Sequence, residues 1–179
     1  MEPMMLVAFL AIGFAAVFAA LAFRNGSRET AEEKVMKGYF LLGLSGLMAK
    51  IAMADGSVST DEAGLAQRFF GQMALSDADR ALCIGNFVTS RRDGLEARDH
   101  AKRFMAYANR TACEFLYSLL WRLADADGKL DPGEDKLLGE VARYLGLDES
   151  VYVRFKNGER PTYGKDDLLA AGVPKSLVG

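Results

Sequence analysis

The chain has 179 residues, of which 22 are basic and 24 acidic, and its formal net charge is -2 at pH 7. A nearly neutral chain is not expected to bind nucleic acid, and one histidine with two cysteines outside any C-x-x-C pair argues against a zinc or redox centre. Cys83 and Cys113 are expected to be buried, reduced thiols. After the N-terminal apolar stretch about 155 residues remain, which suits one domain with a single core.

The N-terminal apolar segment is long enough to cross a membrane. Residues Met4–Phe23 contain no charged side chain, and at ~1.5 Å per helical residue they span a hydrocarbon layer of ~30 Å. They predict a transmembrane anchor over residues 1–24 and a short linker over 25–28. Because Arg24 and Arg28 follow the segment, the positive-inside rule places the N-terminus outside and the rest of the chain in the cytoplasm.

A cleaved signal peptide is the alternative interpretation of this segment. Ala20-Leu21-Ala22 offers an A-x-A cleavage sequence, and cleavage there would release a helical protein beginning at Phe23. The residues before the segment include Glu2 and no Lys or Arg, which is atypical of a signal peptide and favours the uncleaved anchor.

Apolar residues at helical spacing continue through the rest of the chain. Spacing and capping signals predict helices over about 29–55, 59–73, 76–93, 95–108, 111–124 and 132–145, and a last one of about ten residues after Asp148. No stretch alternates in the manner of a strand over more than about four residues, so the predicted fold class is all-α. Proline and glycine predict a loose tail over 158–179, in which 166–171 form at most one short helix.

One phrase occurs twice. Residues 52–62 read A-M-A-D-G-S-V-S-T-D-E, and 72 positions later residues 124–134 read A-D-A-D-G-K-L-D-P-G-E. Apolar residues on either side also match at this offset, for example Leu47 with Leu119. A duplicated helix-turn-helix is therefore predicted to organise the fold.

The phrase contains the signals that end one helix and start the next. A glycine after the aspartate tolerates the positive φ at which helices stop. Ser59 with Glu62, and Asp131 with Glu134, have the spacing of a capping box, and Pro132 suits a first helical turn. Helix capping accounts for most of these acidic residues.

A metal site is the alternative role of the same acids. If the two turns meet, their carboxylates come together at one end of the bundle around a hard divalent cation such as Ca²⁺, Mg²⁺ or Mn²⁺. The ligand set predicted in this way is Asp55, Glu62, Asp127, Asp131 and Glu134. A conventional EF-hand loop is disfavoured because Leu123 stands at the position of its first carboxylate.

No constellation of catalytic residues is visible. His100 stands in the polar stretch Arg98-Asp99-His100-Ala101-Lys102 and is expected to be a solvated helix residue. The chain contains no phosphate loop and no G-x-S-x-G motif, so it is not expected to be an enzyme.

Aromatic residues at helical spacings are expected to pack in the core. The candidates for a partner surface, which lie near the polar C-terminal region, are Tyr107, Tyr152, Phe155 and Tyr163. Basic residues between Arg91 and Arg103 form either a solvated face or a contact with anionic headgroups, and the acids interleaved among them favour the solvated face.

The two phrases resemble the paired A-D-G-x-[VL] phrases of the TerB-like domain of tellurite-resistance proteins, and the likeness covers about residues 29–157. An anchor followed by such a domain is similar to the front part of DjlA-type membrane co-chaperones. The resemblance implies a compact bundle of about seven helices, bacterial origin, an inner-membrane location with the N-terminus outside, a link to envelope or tellurite stress, and an acidic metal site. Those co-chaperones carry a J domain with a His-Pro-Asp tripeptide, whereas the single histidine here, His100, is followed by Ala101, so neither a J domain nor stimulation of Hsp70 is expected.

The sequence thus predicts a non-enzymatic, membrane-tethered interaction module that serves as an accessory or scaffold subunit. The expected partner is another inner-membrane protein, bound through the tail or through the small-residue face of the anchor at Ala11, Ala15 and Ala19. The alternative is a stress protein that binds a divalent metal at the duplicated acidic turns.

Overall fold

The computed structural model describes residues 30–58, 60–73, 75–126, 128–159, 161–170 and 173. These residues form eight helices and no strand, which confirms the all-α prediction. The helices are α1 (Ala31–Ala52), α2 (Thr60–Gln72), α3 (Asp77–Ser90), α4 (Ala97–Met105), α5 (Arg110–Ala124), α6 (Pro132–Tyr144), α7 (Glu149–Lys156) and α8 (Lys165–Ala170). Seven of them fall within the predicted domain, 29–157.

The duplication appears directly in the helix boundaries. The helices α1 and α5 end at Ala52 and Ala124, and the helices α2 and α6 begin at Thr60 and Pro132. Both pairs of boundaries are separated by the 72 residues that separate the two phrases in the sequence. The repeated phrase therefore specifies the same helix-turn-helix twice.

Helix α1 is the central helix of the first copy. It begins at a capping box, in which Thr30 Oγ1 accepts a hydrogen bond from Glu33 N at 3.1 Å and Glu33 Oε2 accepts one from Thr30 N at 2.8 Å. From Phe40 onward nearly every residue is buried, as it is along most of α5. The two matching helices thus form the centre of one core.

Helix α4 packs against α1 at two glycines. A Cβ on Gly43 would lie 2.6 Å from Phe104 Cβ, and a Cβ on Gly46 would lie 2.1 Å from His100 Nδ1. The side chains of α4 therefore occupy the space that these glycines leave open. Because the later residue of α1 contacts the earlier residue of α4, the two helices run antiparallel.

Helix α3 runs parallel to α1 on another side. Lys37 Nζ lies 2.9 Å from Asp79 Oδ2 near the start of both helices, and further along Asn86 Nδ2 donates a hydrogen bond to the Leu42 carbonyl at 3.0 Å. The order of these contacts fixes the relative direction of the two helices.

The bundle consequently has two ends. The entry end holds Thr30, where the described chain begins, together with the start of α3 and the end of α4. The turn end lies at the other end of α1 and holds the duplicated turns at 53–58 and 125–131. These two names are used below.

Within the residues that the structure describes, α1 is the one helix long and apolar enough, by length and composition, to span a membrane. Of its most apolar window, 61% is buried inside the bundle, as in a core helix. The predicted anchor, Met4–Phe23, lies outside the described residues.

The described part of the tail packs against the bundle. Asn109 Nδ2 donates a hydrogen bond to the Ala170 carbonyl at 2.7 Å, and the Tyr163 ring meets Phe115 edge-on with centroids 5.6 Å apart. Val173 is buried as well. This packing differs from the loose tail that the proline and glycine content predicts, because those signals do not reveal contacts with α5, about sixty residues earlier.

Candidate functional site

The glycines of the two turns have a similar conformation and make matching hydrogen bonds. Gly56 has φ 96° and Gly128 has φ 78°, values at which a side chain would be strained. Gly56 N donates to the Met53 carbonyl at 2.9 Å, and Gly128 N donates to the Asp125 carbonyl at 3.0 Å. Glycine is therefore required at the same position of each copy.

In the first turn, one predicted ligand supports the backbone. Asp55 Oδ1 accepts a hydrogen bond from Ser57 N at 2.8 Å, so the exposed carboxylate stabilises its own turn. Glu62 lies in the first turn of α2 and is only 8% exposed. Its predicted capping partner, Ser59, lies outside the described residues.

In the second turn, the predicted capping box is confirmed. Asp131 Oδ1 accepts a hydrogen bond from Gly133 N at 2.7 Å, and Glu134 Oε2 accepts one from Asp131 N at 2.9 Å. Glu134 is buried and Pro132 occupies the first helical turn. Capping is therefore an established role of Asp131 and Glu134.

The two copies meet at the turn end. A Cβ on Gly133 would lie 2.6 Å from the Ala54 carbonyl oxygen, so the first turn rests against the start of α6. Among the described residues, no three His, Cys, Asp or Glu side chains are close enough together to hold a metal ion. Asp127, one of the five predicted ligands, lies outside those residues, and the metal site stays a prediction.

His100 is buried, and the prediction of a solvated side chain was wrong. Its ring is 0% exposed and packs over Gly46, and neither ring nitrogen has a hydrogen-bond partner. The nearest opposite charge is Asp93 Oδ2, 3.6 Å from His100 Nε2, and Asp93 Oδ1 lies 3.0 Å from Lys50 Nζ. Gly46 on α1 leaves the space that the ring occupies. The polar neighbours of His100 in the sequence gave no sign of this burial.

The surroundings of His100 keep it neutral. Burial lowers its pKa, and Lys50 and Arg103 act in the same direction, whereas Asp93 and Asp99 raise it. Burial acts to raise the pKa of Asp93, but the hydrogen bonds from Lys50 and from Leu95 N, together with the charge of Lys50, outweigh burial, and the pKa lies below its usual value. Lys50 and Asp93 thus form an ion pair beside a neutral imidazole.

A groove of about 130 Å³ lies between α2 and α3. Ala66, Phe70 and Phe87 provide apolar lining, and Arg91 adds a positive charge. Val88 also lines the groove and is 49% exposed. The groove is therefore an apolar surface with one basic group, on a side of α3 that α1 does not cover.

Most of the predicted core aromatics are buried, including Trp121, Phe104 and Phe115. Of the four aromatics proposed for a partner surface, Phe155 is buried in the core, and Tyr152 and Tyr163 are partly buried against it. The remaining one, Tyr107, stacks on Tyr39 at the entry end, with ring centroids 5.5 Å apart. Phe155 is thus a core residue, and Tyr152 and Tyr163 border the core, because α7 and the tail pack on the bundle.

Both cysteines are free and buried, as predicted. Burial raises the pKa of Cys83 to about 12 and that of Cys113 to about 11. Because a thiol reacts as its thiolate, neither side chain has the character of a nucleophile.

Comparison with known proteins identifies one family. The family model described as tellurite resistance protein TerB matches residues 41–157, a range that begins within α1 and includes both duplicated turns. No curated protein and no solved structure matches the chain. The chain belongs to the TerB family.

Proposed function

We propose that the protein is a non-enzymatic TerB interaction module, tethered to the bacterial inner membrane by residues 4–23, and that it acts as an accessory or scaffold subunit of a membrane assembly. The observation that carries the proposal is the groove between α2 and α3. The cytoplasmic side of the membrane is the expected location of the domain, because Arg24 and Arg28 follow the apolar segment.

The groove fits the side chains of a partner better than a whole small molecule. Its volume of about 130 Å³ is below the roughly 300 Å³ at which small-molecule pockets begin. Phe70 and Phe87 offer a surface for apolar anchors, and exposed Val88 extends it. Arg91 at the same groove favours a partner segment that places an acidic group beside its apolar anchors.

A pair of matched variants tests this proposal. Val88→Glu places a charge at the groove, and Val153→Glu places the same charge at a similarly exposed valine on α7. The full-length protein and both variants are purified from native membranes in mild detergent, and the proteins retained in stoichiometric amount are identified by mass spectrometry. We expect a recurring membrane protein that Val88→Glu loses and Val153→Glu retains. Two results contradict the proposal that a partner binds in the groove. One is that the unmutated protein is purified without any partner, and the other is that both variants retain the partner.

Divalent-metal binding at the turn end is the second candidate function, and the contact between Ala54 of the first turn and Gly133 at the start of α6 supports it. Calorimetric titration of the full-length protein with Ca²⁺, Mg²⁺ and Mn²⁺ tests it. Heat that Asp127→Asn abolishes supports a metal site in the second turn. Absence of heat with all three ions removes this candidate and leaves capping as the role of the acids.

A further inference from the structure

We infer that the entry end of the bundle lies against the lipid headgroups, and that the exposed side chains of Val35, Tyr39 and Met105, with Tyr107, form the contact. This set of four residues is called the entry face. The inference rests on the proposed membrane tether and adds an orientation of the domain to it.

The entry face is an apolar surface built from two helices. Val35 is 50% exposed and Tyr39 44% exposed, and they lie one helical turn apart on the same side of α1. Met105, at the end of α4, is 40% exposed, and Tyr107 follows it and stacks on Tyr39. Together they bring exposed apolar groups to the end where the chain enters the bundle.

The chain before Thr30 brings this surface close to the membrane. Only residues 24–29 separate Phe23, the last residue of the apolar segment, from Thr30, and at full extension they reach about 20 Å. The headgroup layer itself is about 5–8 Å thick on each side of the bilayer. Val35 and Tyr39 lie about 7 Å and 13 Å beyond Thr30 along α1, so the link limits their distance from the bilayer and allows both to reach the headgroups.

The chemistry of the entry face suits a headgroup layer. Tyrosine rings are amphipathic and are enriched at membrane interfaces, where the ring packs among lipid and the hydroxyl stays hydrated. Glu32 and Glu33 at the start of α1 oppose the attraction that Lys34 has for anionic lipid. Lys102 and Arg103 in the last turn of α4 add to that attraction, so apolar and basic groups both contribute, and we expect the contact to weaken only in part as the salt concentration rises.

Site-directed fluorescence measures the contact in the full-length protein. The native cysteines are buried, so an environment-sensitive thiol label should attach only at an introduced cysteine. The labelled sites are Val35→Cys and the matched control Val153→Cys, which starts from a valine of 45% exposure on α7, whose Lys156 Nζ lies 2.7 Å from Asp135 Oδ2 near the turn-end start of α6. The proteins are placed in vesicles of phosphatidylethanolamine and phosphatidylglycerol. Iodide then reports exposure to water, and a headgroup-level nitroxide lipid reports proximity to the bilayer.

We expect the nitroxide lipid to quench the label at Val35 several-fold more than the label at Val153, and iodide to show the reverse order. Equal exposure of both sites to iodide, in protein that stays with the vesicles, overturns the contact and leaves the tether intact. A label at Val35 shielded from both quenchers indicates a second copy of the chain and also overturns it. Protein that leaves the vesicles at alkaline pH refutes the tether itself.

A second variant separates the contact from an effect of the label. Val35→Ser combined with Tyr39→Ser removes apolar groups from exposed positions, so the fold should be retained. In this background a label at Met105→Cys should become several-fold more accessible to iodide. The matched pair Leu82→Ser and Val153→Ser, also at exposed positions, should leave that label unchanged. A label at Met105 that responds to neither pair contradicts the entry face.

Discussion

Replacing glycine by alanine at three positions of α1 should change stability in opposite directions. A Cβ on Gly38 would have no other atom within 4 Å, so Gly38→Ala should gain about 0.5–1 kcal/mol of stability from helix propensity. At Gly43 the added methyl would lie 2.6 Å from Phe104 Cβ, and at Gly46 it would lie 2.1 Å from His100 Nδ1. Since ordinary contact begins at 3.4 Å, α4 must move by about 1 Å to admit either methyl group.

Overpacking of this kind lowers stability by about 1–3 kcal/mol. The gain in helix propensity on replacing glycine by alanine offsets part of this loss. We expect Gly43→Ala and Gly46→Ala to lower the unfolding free energy by about 1–2 kcal/mol, and thus to lie about 2 kcal/mol or more below Gly38→Ala. For a domain of this size the separation corresponds to about 4–8 °C in the melting temperature.

Urea denaturation in mild detergent, followed by fluorescence, measures these differences. Trp121 is the only tryptophan and is 1% exposed, so its emission reports loss of the core. Gly38→Ala serves as the control for helix propensity, because it lies on the same helix. Equal stabilisation by all three variants would refute the close packing of α1 against α4.

Acid should destabilise the fold through His100. Burial lowers the pKa of His100 in the folded state, so the unfolded chain binds a proton that the folded chain does not. The unfolding free energy should therefore fall by up to about 1.4 kcal/mol per pH unit as the pH drops below about 6.5. Denaturation at a series of pH values tests this, and an identical pH profile in His100→Gln contradicts it. Cys83 and Cys113 should resist maleimide at neutral pH until the protein unfolds, because burial raises their pKa to about 12 and about 11. Mass spectrometry tests this by counting the maleimide adducts on the protein. Adducts on the native protein would show that a thiol is accessible and would contradict the prediction. Asp131→Ala should cost about 1 kcal/mol in metal-free buffer, and Asp131→Asn, which keeps a capping oxygen, should cost little. Equal losses of melting temperature in the two variants contradict the capping role.

The helices and their duplication could be predicted from the sequence because the information is local. Helical spacing and the Asp-Gly turns depend on neighbouring residues, and the repeated phrase gives two observations of one structure. The capping box at Asp131 and Glu134 was predicted for the same reason, since its hydrogen bonds join residues three apart. The turns therefore carried the strongest signal in the chain.

Burial of His100 could not be predicted from its neighbours, because it depends on a distant helix. Its own segment is polar, and the space for its ring is provided by Gly46 on α1. A usable signal was present in the spacing of Ala97, His100, Ala101 and Phe104, which marks one buried face of a helix, together with the glycine pair on α1. Matching these two patterns requires knowing that α1 and α4 pair. The same limit applies to the tail, whose partner lies on α5.

The length of α1 sets an electrostatic separation between the two ends of the molecule. Its 22 residues extend about 33 Å, so the acidic turns lie roughly that far from Thr30. At physiological ionic strength the potential of an anionic lipid surface decays over about 8 Å. With the entry end at the bilayer, the carboxylates of the turns therefore experience the ion concentrations of bulk solution. Binding of a cation at the turn end should then be independent of lipid charge.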